Sequence, residues 1–453
     1  DASATAVFGV KGAEGVILIT TKRGALGKPQ LTVNANTSMK FISRTPDKLD
    51  SYNGFLYRND AIEYEVSVNE NSWSYFMPME IAEHYKLPQS EEDKYIFPNV
   101  DWPSEQLNKN ASSSQVDLTV SGGTDFAKYF GAISYTHEGD LLKSGLDNGK
   151  GYKTKVAYNR FNFRSNLDFN LTGSTIFTVN LSGYVGTKWG GAEYNGAQQL
   201  VAAHWIWDGF YFLSPSVMAV RFPDGSWGYN PNAPNTTNPI AYLNNLGNVK
   251  NIRTQITTDF ILKQKLDFIT PGLTVQGSLS YDNRFYSRGG MTDTGGAISK
   301  YIDPKIIDKL PGETEWDYTY GTIKSPGIND YDWVLQPVNY LSENTAELGT
   351  AYRRIFYQAQ INYARTFKKN DLGVTFLMNR EKYAKGSEFP RYREDWVGRV
   401  TYNYDARYFL ETNGAYNGSE KFAPKYRFGF FPSVAVGWMA SNEHFLKKEW
   451  LNK

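Results

Sequence analysis

From Leu31 onward, apolar and polar residues alternate one for one, the mark of strands with one apolar and one polar face. Leu31, Val33, Ala35 and Met39 alternate with Thr32, Asn34, Asn36 and Ser38; Val116, Leu118 and Val120 with Asp117, Thr119 and Ser121. The clearest run sets Phe161, Phe163, Leu167 and Phe169 against Asn162, Arg164, Asn166 and Asp168. Leu273, Val275, Leu279 and Tyr281 oppose Thr274, Gln276, Ser278 and Ser280, and Ile355, Tyr357, Ala359, Ile361 and Tyr363 oppose Arg354, Gln358, Gln360 and Asn362. Further strands are predicted at 129–135, 177–185, 252–266, 374–378, 396–404, 408–416 and 434–440. The pattern therefore predicts about twelve strands.

The connections decide between architectures. Long segments (40–114, 137–159, 186–251, 282–351, 379–394, 417–427) alternate with short ones (122–128, 170–174, 270–272, 368–371, 405–407). An antiparallel transmembrane barrel has this organisation, with short turns on one rim and long loops on the other. A soluble β-sandwich also gives alternating strands, but has no reason to gather its long loops at one end. Nor can a dry sandwich core take Arg164, Asp168, Gln358, Gln360, Arg399 and Asn403 without a cost of several kcal/mol. These six residues are expected to face a wet lumen. Tyr and Phe near strand ends, such as Tyr129, Tyr135, Phe169, Tyr281, Tyr402, Tyr404 and Tyr408, suit interfacial girdles as well as ordinary β propensity.

The first thirty residues have another texture. Ala2 to Phe8 reads as a short helix stopped by Gly9, and Gly12 to Gly15 as a turn feeding an apolar β run from Val16 to Thr20. Residues 25–30 read as a linker. Composition agrees with a barrel: Tyr (32), Phe (27) and Gly (40) are abundant and Cys is absent. No run of about 18 apolar residues offers a transmembrane helix. A net charge of +1 with scattered Lys and Arg gives no footprint for nucleic acid. The chain starts at Asp1 without Met or a signal peptide and stops at Lys453 without a closing strand, so material is expected to be missing on both sides.

Particular runs resemble the SusC/RagA type of TonB-linked outer-membrane transporter. Asp1-Ala2-Ser3-Ala4-Thr5-Ala6-Val7-Phe8-Gly9 and Gly12 through Lys22 resemble the end of that family's plug. Ser121-Gly122-Gly123-Thr124, Tyr129-Phe130 and Ser134-Tyr135 look like its first periplasmic hairpin. Tyr402-Asn403-Tyr404, Tyr408-Phe409-Leu410, Gly429 to Ser433, Gly437-Trp438 and Glu443-His444-Phe445 resemble a mid-barrel signature. One run departs: the family's D-G-S-S-R-F reads Asn417-Gly418-Ser419-Glu420-Lys421-Phe422 here, so a role of that loop tip does not carry over.

The resemblance implies an all-β transmembrane antiparallel barrel of about 22 strands when complete, closed by a plug. Residues 1–24 would be the end of the plug, and residues 31–453 the N-terminal half of the barrel. About ten further strands would then be needed to close it. It also implies a SusD-type surface lipoprotein as lid, drive by TonB–ExbB–ExbD, outer-membrane lipid around the barrel, and import of a glycan, oligosaccharide or peptide. A dimer of SusC–SusD pairs is compatible with it. The alternative is a SusC-like barrel serving as a scaffold subunit of a larger assembly without import. A passive porin is disfavoured by the plug-like segment.

Chemistry of other kinds is sparse. His84, His137, His204 and His444 are isolated in sequence, so no metal site and no catalytic constellation is expected. Asp330-Tyr331-Asp332 and Glu91-Glu92-Asp93 could hold loop Ca²⁺ but read more simply as solvated tips, so no cofactor is expected. Residues 198–207 show helical spacing (Leu200, Val201, His204, Trp207). Trp205, Trp207, Asp208 and Tyr211 would offer stacking faces and an acceptor to a sugar or peptide, or simply pack the loop. A second aromatic run (Trp316, Tyr318, Tyr320, Tyr331, Trp333, Tyr340) would pack against the lid lipoprotein.

Overall fold

The computed structural model describes residues 17–65, 70–194, 200–202, 206, 211–230, 238–292, 298–310, 313–324, 339–341, 351–443 and 445. Its frame is a 14-stranded antiparallel sheet, with two short strands off a main path that follows chain order. The strands on that path are β1 (Gly27–Phe41), β2 (Asn110–Gly123), β3 (Ala127–Gly139), β4 (Ala157–Asn170), β5 (Thr175–Tyr194) and β6 (Gly247–Lys265). They continue as β7 (Leu273–Thr292), β8 (Tyr352–Phe367), β9 (Asn370–Lys385), β10 (Arg391–Tyr404), β11 (Tyr408–Ser419) and β12 (Phe428–Trp438). Each pairs with its sequence neighbour, so the sheet is an unbroken meander.

All the strands expected from periodicity are present, and several are longer than the alternation suggested. β5, β7 and β9 run on to Tyr194, Thr292 and Lys385. A strand needs only about 9–11 residues to cross a bilayer, whereas β5 and β7 have 20 each. Apolar alternation therefore stops where lipid stops, while the hydrogen-bonded ladder continues beyond it. Segments read as loop, such as 186–194 and 282–292, are strand in the structure.

Short turns at 124–126, 171–174, 266–272, 368–369 and 405–407 lie on one edge, and the remaining connections on the other. The length contrast fades at 386–390, because β9 and β10 continue into that loop. At the 266–272 turn Gly272 has φ +87°, and a Cβ there would meet the Ala364 carbonyl oxygen at 2.0 Å. Only glycine fits.

Three further expectations need correction. Residues 198–207 do not form one helix: Leu200–Ala202 is a short strand paired with Ala192–Tyr194 of β5. Two adjacent apolar residues suit a strand end as well as a helical face. Residues 25–30 are not all linker, because β1 starts at Gly27 and is in register with β2 from Gln30. Residues 17–20 carry no strand pairing among the described residues, so their β-like composition is unmatched by a partner. The helix expected at Ala2 to Phe8 and the turn at Gly12 to Gly15 lie outside the described residues. The long 293–351 connection contains a hairpin of Ile298–Leu310 and Glu313–Lys324.

The sheet itself encloses little core. Most buried apolar side chains lie instead in the long connections. Helices α1 (Ser51–Glu65), α2 (Met79–Lys86) and α3 (Asp93–Ile96) gather Phe55, Ile81, Ala82, Tyr85, Ile96 and Phe97. α4 (Trp102–Gln106) and α5 (Pro239–Asn245) join the first and third long connections. There Trp102 packs with Leu213, Met218, Trp227 and Ile240, and its indole N–H donates to the Ser214 carbonyl at 3.0 Å. Leu107, Leu142, Ile206 and Leu243 form a third cluster that adds the second long connection.

Asparagines stitch these pieces together. Asn238 caps α5 by accepting from the Ile240 and Ala241 amides, and donates to the Val220 carbonyl. Fully buried Asn244 accepts from the Leu146 amide, and its carbonyl takes the side chain of Asn148. A buried amide keeps its place by satisfying such bonds.

Asp93 fastens α3. Burial pushes its carboxyl up, but the Gln89 amide (2.8 Å), the Ser90 hydroxyl (2.9 Å) and the His84 ring (3.4 Å) outweigh this. The carboxyl therefore titrates below its usual range. A depressed folded pKa means that the contribution is complete above the unfolded value, about 3.9, and is lost as pH falls through the folded one. Hydrogen exchange over 79–97, corrected for intrinsic rates, is expected to accelerate below about pH 4. Asp93→Asn should abolish that acid dependence; an unchanged profile would refute the assignment.

Candidate functional site

The two faces of the sheet differ in chemistry. On one, Phe161 sits beside Tyr135 and Val185, and Ile361 beside Phe376, exposing large apolar side chains to the surroundings. The opposite face carries amides, hydroxyls and charges in register across strands. All six residues expected to face a lumen (Arg164, Asp168, Gln358, Gln360, Arg399 and Asn403) lie on this polar face, as strand alternation and pairing place them.

Residues 17–26 run over the polar face of β3–β5. The Asn166 side-chain amide donates to the Lys22 carbonyl at 2.7 Å and to the Thr21 hydroxyl at 3.2 Å. Arg23 Nη1 pairs with Asp168 at 2.9 Å, and the Thr178 hydroxyl donates to the same carboxylate oxygen at 2.5 Å. Gly24 presses onto the sheet backbone: a Cβ would lie 2.4 Å from the Tyr129 amide nitrogen and 2.6 Å from the Gly122 carbonyl oxygen. A groove of about 630 Å³ runs between this segment and the wall, lined by Arg160, Asn162, Arg164, Tyr184 and Gln255 among others.

Further along, charges are cross-linked between strands. Arg354 on β8 bridges Asp282 on β7 (3.0 Å) and Glu381 on β9 (2.7 Å). Arg393 pairs with Asp395 along β10, and Arg399 reaches Glu411 on β11, both at 3.0 Å. Gln358 donates to Gln360 and Gln360 to Asn362, which also accepts from the Thr375 hydroxyl. Asn403 donates to Asp371 at 2.9 Å. Such a face can hydrate, and can hydrogen-bond a polar ligand in many registers. Its polarity is interrupted by buried Leu377, Val397 and Ala415 in adjacent strands, and elsewhere by Phe130 and Phe356.

Trp205, Trp207 and Asp208 lie outside the described residues. Tyr211 is 69% exposed on the long-connection body, next to exposed Phe212. Of the second aromatic run, Trp316, Tyr318 and Tyr320 fall on the strand Glu313–Lys324 and Tyr340 on Asn339–Leu341, whereas Tyr331 and Trp333 are outside the described residues. His84 and His137, isolated in sequence, each have a polar side-chain neighbour in space. His84 faces Asp93 and stacks on Phe97 at 4.8 Å, and His137 is 2.6 Å from the Asn159 side-chain oxygen. His204, His444, Asp330 and Asp332 are outside the described residues. Glu91 pairs with Lys94, and Asp93 is used as above. Among the described residues no group of three or more His, Cys, Asp or Glu could hold a metal ion, and no helix is long and apolar enough to cross a membrane.

Sequence reasoning missed Arg354 as a bridge and Arg23 as a dock. Both stand at polar positions in the pattern, but their partners are remote in sequence and known only once strand register is fixed.

No protein-family model matches the chain. It is 24% identical over 459 residues, 99% of its length, to TonB-dependent receptor P3 of Formosa agariphila. It is 26% identical over 462 residues to TonB-dependent receptor SusC of Bacteroides thetaiotaomicron. The chain spans 39% and 40% of the lengths of these two relatives. Among solved structures it resembles the RagAB peptide importer in its closed-closed state, with TM-score 0.64 and 16% identity over 100% of this chain and 49% of that one. That likeness shows the fold, a segment of barrel wall.

Proposed function

We propose, from the premise that this chain is an outer-membrane barrel segment of the SusC/RagA type of TonB-linked transporter, that its protein imports a glycan, oligosaccharide or peptide across the outer membrane. In this reading a SusD-type lipoprotein delivers the cargo and TonB–ExbB–ExbD supplies the energy. Residues 1–24 end the plug and residues 31–453 form part of the wall. The polar face is then the lumen, and the long connections are extracellular. Trp205, Trp207, Asp208 and Tyr211 are assigned to cargo contact at the mouth, where aromatic rings and an acceptor suit sugars and peptides alike.

The observation that carries the reading is the docking of residues 17–26 on the polar face through Arg23–Asp168 and Asn166–Lys22. A segment held there lies inside the wall, as a plug must, and a simple open pore has no use for it. The test is uptake of labelled oligosaccharides and oligopeptides by cells carrying or lacking the intact receptor. Uptake of one class should vanish with the receptor gene and with TonB depletion. If both strains take up every probe equally, or uptake ignores TonB, import is excluded. Trp205→Ala with Trp207→Ala should weaken cargo binding by the intact complex; unchanged binding would remove those residues from the site.

A further inference from the structure

The groove between the 17–26 segment and the polar face of β3–β6 carries charge of one sign. Lys22 lines it from the segment, and Arg160 and Arg164 line it from β4. Among the described residues no carboxylate lines it. The acids that flank it on this face are engaged elsewhere: Asp168 with Arg23, Glu138 with Lys40, Asp282 with Arg354, and Asp117 with the Gln115 amide. Three cations thus share a space of about 630 Å³.

Arg160 is held without being neutralised. Its Nε donates to the Asn162 side-chain oxygen at 2.7 Å, and its guanidinium lies 4.1 Å from the Tyr184 ring centroid. A ring beside a guanidinium occupies one face and leaves the edge N–H groups for an acid. Gly186 stands opposite both Arg160 and Arg253 and puts no side chain between them. Arg253, 5.5 Å from the Tyr286 ring centroid, and Lys188, one row higher, extend the positive charge toward the long-connection rim. Around the groove's cations the lining includes Ser134, Asn162, Ser182, Gln255 and Thr257. Hydroxyls and amides both donate and accept, as sugar hydroxyls require of a binding wall.

We propose that this groove binds the acid groups of an acidic oligosaccharide, with Lys22, Arg160 and Arg164 as counter-charges. The acid is a carboxylate or a sulfate ester on the sugar, since both accept from a guanidinium edge. The surrounding hydroxyls and amides take the sugar hydroxyls. This deepens the import reading, on which it rests, by giving the cargo a charge.

The test offers the intact receptor complex a mixture of size-matched oligosaccharides from pectin (uronates), sulfated galactan (sulfate esters) and starch (neutral), together with acidic peptides. Retained species are identified by mass spectrometry. One acidic oligosaccharide class should be retained over the starch fragments, less so at high salt, and the class retained names the acid. Arg160→Gln with Arg164→Gln, in a barrel that stays heat-modifiable, should lower that retention on the order of tenfold. Lys382→Gln, on the apolar face of β9, should leave it unchanged. Retention of neutral fragments or peptides alone, of nothing, or of acidic fragments equally by wild type and double variant overturns the site. So does a double variant that lowers disulfide cross-linking of Arg23→Cys with Asp168→Cys, because the arginines then hold the segment rather than cargo. TonB-dependent uptake of neutral cargo without arginine-sensitive retention overturns the groove and leaves import standing. Arginine-sensitive retention without TonB-dependent uptake leaves the groove standing and overturns import.

Discussion

Arg354→Met is expected to destabilise the barrel by about 3 kcal/mol, the low end of the loss for breaking a buried charge pair. The guanidinium is the common partner of Asp282 and Glu381, and the three side chains are 27%, 22% and 8% exposed. Removing the cation leaves two carboxylates facing each other across β8. Methionine fills similar volume, so the cost is electrostatic rather than a cavity. The measurement is the urea midpoint of the heat-modifiable form of the intact receptor. Adding Glu381→Gln and Asp282→Asn should recover most of the loss, because three neutral groups leave no orphan charge. Arg354→Lys should fall between, since a single ammonium lacks the fork that spans both carboxylates. A single variant as stable as wild type would mean that hydration, not Arg354, neutralises these acids.

Gly24→Val is expected to release residues 17–26 from the wall. A Cβ would overlap backbone atoms of Tyr129 and Gly122, which belong to a paired hairpin and cannot yield. Overpacking of this kind costs about 1–3 kcal/mol even where side chains can adjust. The contacts at risk are Arg23–Asp168 and the two bonds from Asn166. Because the chain has no Cys, Arg23→Cys with Asp168→Cys gives a clean proximity probe. Cross-linking should be efficient in the parent and strongly reduced when Gly24→Val is added. On the import reading, cells with Gly24→Val should also become sensitive to large hydrophilic antibiotics. Undiminished cross-linking would show that the segment tolerates the side chain.

The parts of the fold that follow from local alternation were legible. Phe161 to Phe169 announce both faces of β4, and the two classes of connection announce two rims. The polar face was legible as chemistry but not as pairing. Arg354 reads as one more polar position until β7 and β9 are in register beside it. Residues 198–207 misled because Leu200, Val201, His204 and Trp207 fit a helical face, while the real partner of Leu200–Ala202 is the end of β5. Strand extension past the lipid was invisible, since hydrogen bonding needs no apolar alternation to continue. The asparagine contacts of α5 were invisible for the same reason as Arg354: Asn244 and Leu146 meet only in three dimensions.

The shared cluster of Leu107, Leu142, Ile206 and Leu243 also constrains how this surface can evolve. Three connections separated by barrel strands contribute to it, so none can be replaced without opening a hole under the others. The three connections are therefore inherited as a block, and a recombination breakpoint between residues 110 and 194 would join mismatched halves of one core. Chimeric receptors should work when residues 42–246 move together and fail when a single connection is transplanted.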